Sequence, residues 1–330
     1  MMKFGSYRIA MSLAVVVGLV GWAMLPSTSQ AQTDPLRLPY NQNQGDPESR
    51  PQHFRWKVGA KVTGGSARSQ DVIVVLPVPT DWPEQRVELI DQQVSPQFQN
   101  FSFRTVVPGA TQVVARTPVL TPNQELEIVL TFSVEVTPIS VPTDTDALRV
   151  PQRIGKELKP FLENTREVSY RNSKLTDLVR TTVDREQPAW DQVRVVFDWV
   201  RENIESLDQA PTDTIDCFTK RQGSPEDIVG LFVAMCRSIK IPARMVWVEG
   251  TQYAEFYLVN EQEEGQWYPA HVLGLAELGS LPEPRVILQK GDSIKVPEKE
   301  LPLRFIPEFG RAKSSAPLQM SFSQELLPGR

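Results

Sequence analysis

An α+β fold is predicted by three observations: period-two hydrophobic runs between residues 53 and 140, helical periodicity from about residue 175, and strand-like runs again between 244 and 272. The expected architecture is an all-β sandwich followed by a second, α+β domain. The composition, 40% hydrophobic, 23% charged and 8% aromatic, is that of a folded globular chain, and 330 residues can bury more than one core.

The first strand shows how the β block is read. Phe54, Trp56, Val58, Ala60 and Val62 alternate with Arg55, Lys57, Gly59 and Lys61, so one face is apolar and the other polar. The runs 71–79, 85–91, 99–107, 112–119 and 125–139 repeat this pattern and are separated by Gly, Pro, Asp or Asn. In the last run Leu126, Ile128, Leu130, Phe132, Val134 and Val136 mark the buried face. Half a dozen strands at short spacing predict a small sandwich over 53–140.

Past residue 145 the period changes. The segments 175–183 and 189–204 are amphipathic helices; in the second, Val193, Val196, Phe197, Val200 and Ile204 form one stripe behind Pro188. The stretch "GSPEDIVGLFVAMCRSIKIPAR", 223–244, has good helix-start chemistry. Ser224 serves as N-cap, Pro225 takes the first helical position, where a missing N–H costs nothing, and Glu226 and Asp227 fill the first turn. The runs "RMVWVEG", "AEFYLVN" and "QWYPAHV" then predict three strands, giving a domain over 145–275. The Pro-rich remainder, 276–330, is expected to be an extended segment along the surface, with its last ~20 residues poorly ordered.

At the other end, Lys3 and Arg8 precede an apolar run from Ile9 to Leu25, and Ser29-Gln30-Ala31 has small residues where a signal peptidase reads. Residues 1–31 are therefore expected to be an export signal, with contact to the membrane only if it stays uncleaved. Residues 32–52 are polar and without period, a flexible lead-in. The expected location is extracytoplasmic, periplasmic or secreted. Net charge is −5, and −7 once Lys3 and Arg8 are removed, with no cluster of Lys or Arg. Nucleic acid is excluded as a partner, because neutralising phosphates needs clustered cations.

The chain has two cysteines, Cys217 and Cys236, and one histidine after residue 53, His271. Their scatter lacks metal-ligand spacing, so neither a metal nor a cofactor is expected. An oxidising compartment leaves open a disulfide between the cysteines. Cys236, inside "LFVAMCRSI", reads as inert packing.

Residues 189–272 resemble the transglutaminase-like superfamily, whose members share a papain-like fold. The resemblance rests on "VFDWVRENI", "LFVAMCRSIKIPAR", "AEFYL" and "QWYPAH", in that order. It implies a nucleophilic Cys two residues after a Gly at a helix start, a His four residues before a Glu, and an Asp four residues after a Trp. With Gly223, Glu255 and Trp267 in place, those positions hold Pro225, Thr251 and His271, so the catalytic triad is degenerate. Proline supplies no thiolate and no N–H for an oxyanion. The resemblance also implies a Gly at the position of Lys240, which strains the backbone if φ is positive there.

Two functions follow. One is an exported, non-catalytic module that binds or scaffolds a peptide-like ligand or an envelope protein, alone or within a larger envelope assembly. The alternative is a thiol-dependent peptidase or acyl transferase with a relocated nucleophile, Cys217 or Cys236.

Overall fold

The structure, a computed structural model, describes residues 50–107 and 109–327. The expected export signal, 1–31, and nearly all of the expected lead-in, 32–52, lie outside the described residues. Among those described, no helix is long and apolar enough to cross a membrane.

Six strands open the fold: β1 (Gln52–Thr63), β2 (Ser69–Val78), β3 (Gln85–Val94), β4 (Asn100–Val106), β5 (Ala110–Leu120) and β6 (Glu125–Val136). Four helices with two short strands follow, namely α1 (Ser173–Thr182), α2 (Ala189–Asn203), β7 (Glu205–Ser206), α3 (Thr214–Lys220), β8 (Gln222–Gly223) and α4 (Pro225–Ser238). The chain then forms β9 (Ala243–Val248), β10 (Thr251–Val259) and β11 (Gly265–Ala270), and ends in β12 (Ile287–Lys290), β13 (Phe309–Lys313) and β14 (Gln319–Leu327). The N-terminal region is thus antiparallel β, and a helix-containing α+β region follows it.

The alternation read in β1 and β6 builds the sandwich core. Trp56, Val58, Val62, Leu126, Ile128, Leu130 and Phe132 pack with Val72, Val74 and Leu76 of β2 and Val113 of β5. The helical stripe of α2 is buried as its period requires, with Val193, Val196 and Val200 at 0% exposure. It packs against α4, whose apolar side chains also cover Ala254, Phe256 and Leu258 of β10.

Two expectations about organisation are corrected. The sandwich and the α+β region do not stand apart, since one sheet runs β11-β10-β9-β12-β5-β2-β13, with β4 also on β5. Its join is β12: Gln289 pairs with Trp247 of β9 on one side and with Ala110 of β5 on the other. Nor is the segment after 276 a surface wrapping. β14 pairs with β1 over Arg55–Thr63, completing the order β14-β1-β6-β3, and Val286 and Leu288 enter the sandwich core. The physical reason is that "VILQK" is too short for a visible period and is stabilised by strands far away in sequence. A strand of this kind has no local signature.

Lys240 has φ 67°, the left-handed conformation for which the resemblance implies Gly. A side chain there costs roughly 1 kcal/mol.

Candidate functional site

The start of α4 is built as its sequence dictates. The Ser224 hydroxyl accepts from the Asp227 N–H, and the Asp227 carboxylate accepts from the Ser224 N–H at 3.2 Å, a reciprocal capping box. The Asp227 carboxylate also accepts from the Thr212 N–H at 2.9 Å. Pro225 sits exposed at the first helical position. Gly223 has no room for a side chain, because a Cβ there would lie 2.7 Å from Cys217 Sγ. The C-terminal segment closes this corner: Arg304 Nη1 donates to Glu226 Oε1 at 2.6 Å, and the Phe305 ring packs 5.0 Å from that of Trp247.

Both cysteines are free, so the disulfide left open by the sequence does not form. Each thiol is 0% exposed. Burial pushes the Cys217 thiol up to about 12, and the carboxylates of Asp227, Asp216 and Asp213 push the same way. Burial raises Cys236 as well, against the lowering influence of Arg237. A nucleophilic cysteine needs an electropositive, accessible setting; neither thiol is accessible, Cys217 faces carboxylates instead, and for Cys236 burial outweighs the Arg237 charge. Cys217 does lie beside Gly223, close in the chain to the position of the expected nucleophile, but as packing for the glycine.

Thr251 and His271 come together. Both line one cavity of about 500 Å³ with Val248, Tyr253, Leu275 and Arg285. Pro225 is not among the residues lining it, so the structure joins two of the three positions and leaves the third at the helix start. β10 and β11 set this geometry. Their antiparallel register places Ala254 opposite Ala270, and the His271 ring, one residue beyond, stacks on Tyr253 with centroids 4.6 Å apart and planes at 18°. Burial lowers the His271 pKa to about 4, with the Arg285 charge adding to the effect, so the imidazole is neutral at pH 7. His271 Nε2 is buried without a hydrogen-bond partner. Burial, and then the nearby Glu255 charge, hold the Tyr253 hydroxyl well above its usual range.

Glu255, the retained acid, has no access to a reaction. It is 1% exposed and accepts from Arg244 Nε at 2.7 Å and from Lys290 Nζ at 2.7 Å. Lys290 also pairs with Glu84 of the sandwich, and the Arg244 guanidinium lies 3.8 Å over the Trp267 ring. Burial raises the Glu255 pKa, yet Arg244 and Lys290 together outweigh it and hold the carboxyl below the usual range. Two acids and two bases thus neutralise one another inside the fold, which is what makes their burial tolerable. Sequence reasoning missed this cluster and Arg304, because the contacts that define them include Lys290 with Glu84, 206 residues apart, and Arg304 with Glu226, 78 apart. Among the described residues no group of His, Cys, Asp and Glu is arranged to hold a metal ion.

Comparison with known proteins agrees with this construction. Residues 176–272 match the transglutaminase-like superfamily. No curated protein matches the chain. The crystal structure of a candidate cysteine protease from Cytophaga hutchinsonii is 17% identical, covers 84% of this chain and 92% of its own, and superposes with a TM-score of 0.53. A candidate protease from Parabacteroides distasonis is 12% identical over 63% of this chain and 42% of its own, with a TM-score of only 0.28. The fold of the Cytophaga protein is therefore shared across the sandwich as well as the helical region, and within that fold residues 176–272 are the part that matches the transglutaminase-like superfamily.

Proposed function

We propose that this chain is an exported, non-catalytic member of the transglutaminase-like superfamily, whose matching region binds or scaffolds a peptide-like ligand or an envelope protein. One observation carries the reading: the nucleophile position is Pro225, and neither thiol is exposed or electrostatically prepared to replace it. Thr251 and His271 cannot complete a thiol triad without a thiol. Export rests on the composition of residues 1–31; sequencing of the exported protein supports it if the chain starts at Gln32, and an intact Met1 points to an anchor instead.

Native-state alkylation tests the catalytic half. At neutral pH, iodoacetamide should leave Cys217 and Cys236 unlabelled in the folded chain, and amide hydrolysis or cross-linking of peptides should stay at background. The Pro225→Cys variant should take up one equivalent of label, since position 225 is exposed, and on its own should gain almost no activity, because triad groups act as a unit. Activity in the unmodified protein that disappears in Cys217→Ala, with the fold retained, overturns the reading in favour of a thiol-dependent peptidase or acyl transferase.

A further inference from the structure

The cavity at Thr251 and His271 has a definite chemical character. Its walls include Val248, Ala276, Leu281 and Pro282, and its volume, about 500 Å³, lies within the range of small-ligand sites. Leu275 lines it while remaining 97% exposed, an apolar side chain with nothing yet to pack against. One polar atom on the lining residues, His271 Nε2, is buried without a partner, whereas the Tyr253 hydroxyl lies beside the Glu255 carboxylate. In its Nε2–H tautomer a neutral imidazole would donate one hydrogen bond to an acceptor in the cavity. Arg285 adds a positive charge at the rim; its Nη1 makes two long contacts, 3.2 Å to Glu249 Oε2 and 3.3 Å to the Glu249 carbonyl, which leaves other N–H groups of its fork available. Glu283 is the acidic lining residue, and it is exposed.

From this arrangement we infer that the cavity takes a small carboxylate with an apolar body, the carboxylate meeting Arg285 and His271 and the body lying against Leu275, Leu281 and Val248. The inference rests on the binding reading above and gives the ligand its chemical class. An alkyl acid and the C-terminal residue of an apolar peptide share that chemistry. His271 is neutral at pH 7, so it acts as a hydrogen-bonding group rather than as a second cation.

The chain contains only two histidines, His53 and His271, which makes the test direct. The full chain, labelled with ¹⁵N-histidine, is titrated at pH 7 with sodium octanoate, N-acetylleucine and N-acetylleucinamide while the imidazole resonances are followed by NMR. His271 should shift with at least one carboxylate while His53 does not. N-acetylleucinamide, which lacks the charge, should bind about tenfold more weakly than the carboxylate that binds, as expected for losing a charge-assisted hydrogen bond. Binding of octanoate alone identifies an alkyl acid, and binding of N-acetylleucine alone identifies a peptide end. Leu275→Ser, at a position with no packing to lose, should weaken the bound carboxylate by about tenfold, and Arg285→Gln should remove the preference for carboxylate over amide. An unmoved His271 with both carboxylates, equal binding of the amide, or an unchanged preference in Arg285→Gln overturns the assignment. None of these outcomes depends on whether amide hydrolysis is detected, so failure here is distinct from failure of the non-catalytic reading.

Discussion

His271 is an imidazole kept neutral by its surroundings, and its cost emerges in acid. Its pKa is about 4 in the folded chain against 6.5 for a free side chain. Between those values the unfolded chain holds a proton that the folded chain does not, so stability falls as pH drops. The contribution is complete above about pH 6.5 and lost below about pH 4, and a shift of this size corresponds to about 3 kcal/mol. Glu255 acts in the same direction at lower pH: its carboxyl is held below the usual range, so its contribution is present above the unfolded carboxylate pKa and disappears as the pH falls through the folded one. His271→Phe keeps a ring against Tyr253 but does not titrate. Denaturant unfolding at pH 7, 5.5 and 4 should show the parent losing about 3 kcal/mol more than this variant over that range. Parallel losses in the two proteins would show that His271 is protonated without penalty.

At the scale of elements, α4 shows a helix whose two ends have different histories. Its start is well made for folding, with the capping box of Ser224 and Asp227 and with Pro225 at the first position, and all of this was legible in the sequence because capping is local. Its end is strained, since Lys240 adopts φ 67° with a full side chain. Lys240→Gly should stabilise the folded chain by roughly 1 kcal/mol, raising the denaturation midpoint with an unchanged slope; a neutral or destabilising result means that the Lys240 side chain makes a compensating contact. Positions 251 and 271 were also legible, through motif spacing around Glu255 and Trp267, and the structure brings them to one cavity. The remaining walls, 274–285, were not, because that stretch has no period of its own and read as part of an extension. The same blindness hid β12, whose four residues acquire their strand conformation from β9 and β5, and the cluster of Glu84, Lys290, Glu255 and Arg244, which exists only after the chain has folded.

For the whole molecule, the joined sheet changes what unfolding should look like. Two separate domains would melt in two steps, each set by its own core. Here β12 hydrogen-bonds to both regions, Lys290 holds Glu84 of the sandwich and Glu255 of β10 at once, and Asp292, just beyond β12, is fixed by Arg237 of α4 at 3.0 Å. Opening either region exposes part of this cluster, and an unpaired buried charge costs about 3–5 kcal/mol. Thermal unfolding by calorimetry should therefore give one transition, with calorimetric and van't Hoff enthalpies equal. Lys290→Met tests the coupling, because it leaves Glu84 without this partner and Glu255 with Arg244 alone. It should lower the stability of the molecule as a unit, shifting far-ultraviolet circular dichroism and the fluorescence of Trp190 and Trp56, which report the helical and sandwich cores respectively, by the same amount. The fluorescence measurements are made with the other tryptophans replaced. Two separated transitions in the parent, or a shift confined to one core in the variant, would show that the sheet is continuous in geometry but not in energy.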